Sequence, residues 1–185
     1  MFGEDPTINK LEARISDMFG KEEGLWFPSG TMSNLASIMS WCTSRGSEVI
    51  LGDNSHIFLF EQSGASQVAG VSLRTVPNKR DGSMSIEGIE SAIRGDNIHF
   101  PITKLISIEN TQNYCGGRVL PEGYTESLCW MAHKYSVPVH LDGARIWNAA
   151  VSMNKPVSAL TESVDSVSVC LSKGLGAPVR LYIFY

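Results

Sequence analysis

"PVHLDGARIWNAAVSM", residues 138–153, contains the change of period that decides the fold. Val139 and Leu141 alternate as in a strand, Asp142 and Gly143 break the run, and "ARIWNAAVSM" (144–153) continues with helical spacing. The same order recurs along the chain. "EVILGD" (48–53) is followed by a helix around "HIFLFEQSGA" (56–65), and "VSLRTV" (71–76) by "SIEGIESAIR" (85–94), which a serine caps. "KLISIEN" (104–110) leads to "YTESLCWMAHKY" (124–135), and "SVSVCLS" (166–172) closes the series. Upstream, Ile8, Leu11, Ile15, Met18 and Phe19 form a helical stripe stopped by Gly20. "GLWF" (24–27) reads as a short strand and "TMSNLASIMSWC" (31–42) as a helix. Strands rich in Val, Ile and Leu that alternate with helices predict an α/β domain over residues 1–185, a mostly parallel sheet with helices on both faces.

Composition narrows the function classes. The chain has 185 residues, 43% hydrophobic and 18% charged, with a net charge of -4, which supplies no basic footprint for nucleic acid. No apolar run is long enough to span a membrane, and the acidic start "MFGED" lacks a signal core. Cys42, Cys115, Cys129 and Cys170 lie far apart, as expected of a reducing cytoplasm. No His, Cys, Asp or Glu grouping has metal-ligand spacing, so no metal is expected.

In parallel sheets, ligands bind beyond the carboxyl ends of the strands. Polar clusters fall there: "GDNSH" (52–56), "ENTQN" (109–113), "LDGAR" (141–145) and "LSKG" (171–174), with "PSGT" (28–31) after "GLWF". Ser29, Gly30 and Thr31 open a helix, where free amides and the dipole favour a phosphate; taken alone, a plain helix cap is the more common explanation of such residues. Asp142 at a strand tip suits a protonated heterocyclic nitrogen, or else simply begins a turn. Arg145 offers a planar fork to a carboxylate or phenolate, and His56 a ring that stacks or titrates near neutrality. Lys173, where a strand meets a glycine-rich loop, reads either as a side chain reaching water or as an enclosed nucleophilic amine. A phosphate, a ring nitrogen, a stackable ring and an aldehyde together describe pyridoxal 5′-phosphate (PLP).

With these residues assembled, the chain resembles the low-specificity threonine aldolases, fold type I PLP enzymes of the β-eliminating lyase-like group. "FGEDPTINKLE", "PSGTMSN", "GDNSHIFLFEQSGAS", "ENTQNYCGGRVLP", "HLDGARIWNAA" and "CLSKGLGAPV" carry the resemblance, in order and over nearly the whole sequence. It implies an aspartate-aminotransferase-like large domain. It further implies Lys173 as the Schiff-base lysine, Asp142 as partner of the pyridine nitrogen and His56 as ring-stacking residue. Gly30, Thr31 and Ser172 would hold the phosphate, and Arg145 the phenolic oxygen and substrate carboxylate. The implied reaction cleaves threonine or allo-threonine to glycine and acetaldehyde, in a cytoplasmic homo-oligomer, dimeric or tetrameric.

Three departures accompany the resemblance. The family's N-terminal strand and small C-terminal domain have no counterpart between "MFGED" and "RLYIFY" (180–185), and Gln112 stands where the family has a histidine linked to the substrate hydroxyl. A glutamine cannot act as a base near neutral pH. Two alternatives therefore stand beside the aldolase: a catalytically inactive truncated fragment of such an enzyme, and a related β-eliminating lyase.

Overall fold

Asp5 and Pro6 start the first helix, α1 (Pro6–Phe19). The Asp5 carboxylate accepts from Thr7 N (2.8 Å) and Ile8 N (3.2 Å), and Pro6 sits where a missing N–H costs nothing. Gly20 ends α1 in the left-handed region. In the computed structural model residues 3–178 are described; Met1, Phe2 and residues 179–185, with the "RLYIFY" end, lie outside them. The remaining elements follow as α2 (Gly30–Trp41), β1 (Ser47–Gly52), α3 (His56–Leu59), α4 (Gly64–Gln67), β2 (Ser72–Val76), α5 (Ile86–Ala92), β3 (Ile102–Glu109), α6 (Tyr124–Lys134), β4 (Val139–Gly143), α7 (Ile146–Met153), α8 (Val157–Thr161) and β5 (Ser166–Val169).

All five strands are parallel, in the order β2-β1-β3-β4-β5. The chain moves outward from β1 in both directions, so the loops after β1 and β3 diverge and leave a crevice at the carboxyl edge. Strand alternation sends Ile50, Ile106, Ile108, Val139, Leu141, Val167 and Val169 into a core shared with α1 and α5 to α8. Val49, Leu51 and Leu105 point the other way, against Ile38 of α2, Ile57 and Ala65. On that second face β4 and β5 present His140, Asp142, Ser166 and Ser168, all buried. The apolar layer thus gives way to a polar one under α2, at the end of the sheet where the candidate site forms. Among the described residues, no helix is long and apolar enough to cross a membrane.

Three sequence expectations need correction. "GLWF" is not a strand: Trp26 N donates to the Glu12 side chain (2.7 Å), so its backbone is satisfied without a ladder. The helix expected over 56–65 is two single turns, α3 and α4, separated by Gln62 and Ser63 at φ of 54° and 56°. The strand expected over 166–172 stops at Val169, and Leu171 to Leu175 form turns. The short helix α8 was not anticipated.

Candidate active site

A cavity of about 730 Å³ opens at the carboxyl edge of the sheet. Gly30, Thr31, His56, Asp142, Arg145, Ser172 and Lys173 all line it, so the fold brings together every site residue expected from the sequence. Their local placement follows from their elements. Ser29 caps α2, its hydroxyl accepting from Met32 N (3.2 Å), and the first internal bond runs from Ser33 N to Ser29 O. The amides of Gly30 and Thr31 therefore lead the helix and carry its positive end toward the cavity.

Asp142 is the penultimate residue of β4. Its Oδ1 accepts from Ala144 N (3.0 Å), which starts the turn, while Oδ2 accepts from Asn34 Nδ2 (2.9 Å). The turn-forming and ligand-facing readings of this residue are thus compatible. Beside it, Gly143 has no room for a side chain: a Cβ would meet Ser168 O at 2.9 Å. That close approach lets β4 and β5 deliver Asp142 and the Ser172–Lys173 turn to one rim.

His56 begins α3 directly after β1. Its N–H donates to Glu109 Oε2 (3.0 Å), and its Nδ1 lies 2.9 Å from Glu61 Oε1. The Glu61 hydrogen bond raises the His56 pKa against the opposing effect of burial. Glu61 is itself raised, chiefly by burial. Glu109, at the tip of β3 and paired in register with Asp142, is pushed up to about 7, first by burial and then by the Asp142 charge.

Lys173 is exposed on the turn after β5 rather than enclosed, because the strand ends four residues before it. It nevertheless lines the cavity with Arg145, the residue preceding α7. Gln112 differs from expectation more sharply. It is 1% exposed, donates to Asn54 O (2.6 Å), accepts from Cys115 N (2.7 Å), and is absent from the cavity lining, where Asn113 stands instead. Gly82, at a φ of 88°, leaves the space it fills; a Cβ there would meet the Gln112 Cβ at 2.7 Å. Gln112 is a loop-stitching residue in this chain.

Sequence spacing also missed a cluster that only folding creates. His56, Glu61 and Asp142 bring ligand-type atoms within 4.8 Å of one another. Both carboxylates accept from Asn34, and Glu61 is further bonded to His56, so hydrogen bonds account for the cluster's geometry.

Against this geometry stand the comparisons with known proteins. The profile for the beta-eliminating lyase family matches residues 1–183. The chain belongs to that family. Its relatives include the probable low-specificity L-threonine aldolase 2 of Arabidopsis thaliana, 50% identical over 182 residues, with 97% of this chain and 51% of that protein covered. The low specificity L-threonine aldolase of Escherichia coli K12 is 38% identical over 179 residues, covering 97% of this chain and 53% of the other. A crystal structure of a putative L-allo-threonine aldolase from Listeria monocytogenes superposes with a TM-score of 0.86 at 24% identity, over 100% of this chain and 49% of that one. This last likeness bears on the fold. The chain spans about half the length of the curated relatives it matches.

Proposed function

We propose that this chain forms the PLP-binding part of an aldolase-type lyase that cleaves a small β-hydroxy amino acid, threonine or allo-threonine, to glycine and acetaldehyde. The observation that carries the reading is the convergence of Lys173, Asp142 and the α2 N-terminus on one cavity in a member of this family. The donor set fits the cofactor group by group. Helix-end amides at Gly30 and Thr31, with the Ser172 hydroxyl, suit a phosphate. A buried carboxylate, Asp142, suits a cationic ring nitrogen, and an accessible amine, Lys173, suits a carbonyl carbon.

When bound, PLP supplies an electron sink for bonds broken at the amino-acid α-carbon. The protein's share is placement and proton control. Asp142 holds a negative charge at the strand tip, fixed by two hydrogen bonds, so that a protonated nitrogen is favoured beside it. Arg145 offers its fork to the phenolic oxygen and the substrate carboxylate. His56, with Nδ1 turned to Glu61, keeps its other ring nitrogen for the cavity and would offer its ring for stacking on the cofactor. Lys173 would hold the cofactor's carbonyl carbon and, once freed, its amine would be placed to carry a proton at the substrate's α-carbon.

Gln112 lies outside the cavity lining, so its replacement of histidine leaves His56 as the titratable ring at the site. Phe60 at the cavity, with Tyr114 packed against it, and Phe58 on the same helical turn region are exposed, which supports self-association of the assembled enzyme. The test is a product assay with L-threonine and L-allo-threonine in the presence of PLP. Acetaldehyde and glycine in equal amounts, lost in Lys173→Ala, is the expected result. Ammonia and a 2-oxoacid in their place would select the β-elimination reading instead, and no product with either substrate the inactive fragment.

A further inference from the structure

Asn34 received no role from the sequence, although it stands inside "PSGTMSN". In the structure it is buried, on the α2 face that covers the polar ends of β4 and β5. Its Nδ2 donates to Glu61 Oε1 (2.8 Å) and to Asp142 Oδ2 (2.9 Å). Its Oδ1 accepts from Ser168 Oγ (2.6 Å) and lies 3.3 Å from His140 Nε2.

The two carboxylates fix which way the amide points, and the groups behind it follow. His140 is fully buried, and burial lowers its pKa to about 4, so the ring is neutral and carries one proton. Trp41 Nε1 donates to Ser166 Oγ (2.9 Å), and that hydroxyl oxygen lies 2.9 Å from His140 Nδ1. With both amide hydrogens directed at the carboxylates, Asn34 Oδ1 faces His140 Nε2, which puts the single ring proton on Nε2. Both amide hydrogens and both carbonyl lone pairs are used, and a flipped amide would set its oxygen against two carboxylates.

We propose that Asn34 is a positioning residue that holds the Asp142 and Glu61 carboxylates side by side with one amide, coupling the partner of the cofactor nitrogen to the partner of His56. Two neighbouring buried carboxylates repel, and a neutral double donor between them keeps both as acceptors without adding charge. Only Asn and Gln offer two hydrogens from one neutral group, and of these Asn is the shorter. An Asp of the same shape would fill the space and keep the contacts to Ser168 and His140, yet lose both donors. That separates positioning from packing.

The part of the inference that concerns Asp142 rests on the PLP reading, so the experiment has two arms. In the first, thermal stability without cofactor is followed from pH 5 to pH 7.5 for the wild type, Asn34→Asp and Asn34→Ser. The groups facing position 34 are Glu61, Asp142 and His140, with His56 and Glu109 beyond them and Lys173 across the cavity. In Asn34→Asp the new carboxyl lies against two others, so its folded pKa stands above the unfolded value of about 3.9. Its stability contribution is complete below that value and is lost as pH rises through the folded pKa. The gap to wild type should therefore widen steadily across the range, while the Asn34→Ser gap stays level. In the second arm PLP affinity is measured by absorbance titration. Asn34→Ser should weaken binding on the order of tenfold in the wild type, the loss of one hydrogen bond to a charged group. Added to Asp142→Asn it should change affinity by less than about threefold, because the charge it served is gone. An Asn34→Asp gap that is flat with pH, or an equal loss of affinity in both backgrounds, overturns the proposal. If the wild-type chain binds no PLP, the proposed function fails, and the pH arm decides Asn34 alone.

Discussion

Replacing Glu61 with glutamine should lower the His56 pKa. The two groups meet at 2.9 Å, and the hydrogen bond to Glu61 is the largest influence raising His56. A hydrogen bond to a charged partner is worth about 1.5–3 kcal/mol, and its loss removes that preference for the protonated ring. The His56 side chain is 33% exposed, so screening places the effect at the lower end. Proton NMR titration of the histidine resonances reads the shift directly, with His56→Asn identifying the signal. The stability consequence has a definite sign. A raised histidine pKa stabilises fully below the unfolded value of about 6.5, and that stability is lost as pH rises through the folded pKa. Glu61→Gln should accordingly cost most near pH 6. Above pH 8 it should cost least, because burial opposes the Glu61 charge and the amide removes it. An unchanged His56 pKa in Glu61→Gln would refute the pairing as the cause of the shift.

Three further outcomes follow from the same geometry. Glu109 titrates at about 7 in the fold against about 4.5 unfolded, so its ionisation removes about 3 kcal/mol of stability between those values. Glu109→Gln should therefore gain in thermal midpoint relative to wild type as pH rises from 5 to 8, and a constant difference would contradict this. Asp142→Asn should weaken PLP binding at least about tenfold by absorbance titration, since a charged partner is lost from a buried position; unaltered affinity would exclude Asp142 as the nitrogen's partner. Sedimentation should find self-association, and substitution of Phe60 and Tyr114, which pack at 5.9 Å and are both exposed, by serine should reduce it.

The parallel sheet and most of its elements were legible because each half-buried helix and strand prints its period on the sequence. Residues that end strands were legible for a related reason: Asp142, His56 and Lys173 interrupt apolar runs where no core position requires polarity. What failed was whatever depends on a distant partner. "GLWF" looks like a strand until Glu12 takes its amide. Gln112 stands in the ligand-rich "ENTQN" loop, but Gly82 makes space for it elsewhere, away from the cavity. Asn34, Glu61, His140 and Ser168 come from four segments, and only the approach of α2 to β4 and β5 joins them. One signal was available. The alternation in "PVHLDG" and "SVSVCLS" leaves His140, Asp142, Ser166 and Ser168 on a single face, which predicts a buried polar layer that a helix must satisfy.

Attachment of PLP at Lys173 is tested most directly by adding the cofactor to the folded chain, reducing with borohydride and mapping the labelled peptide. The account predicts label on Lys173 alone, inside "CLSKGLGAPV", and none in Lys173→Ala. Label on Lys21, Lys155 or any other lysine, or a folded chain that takes up no label, would contradict it.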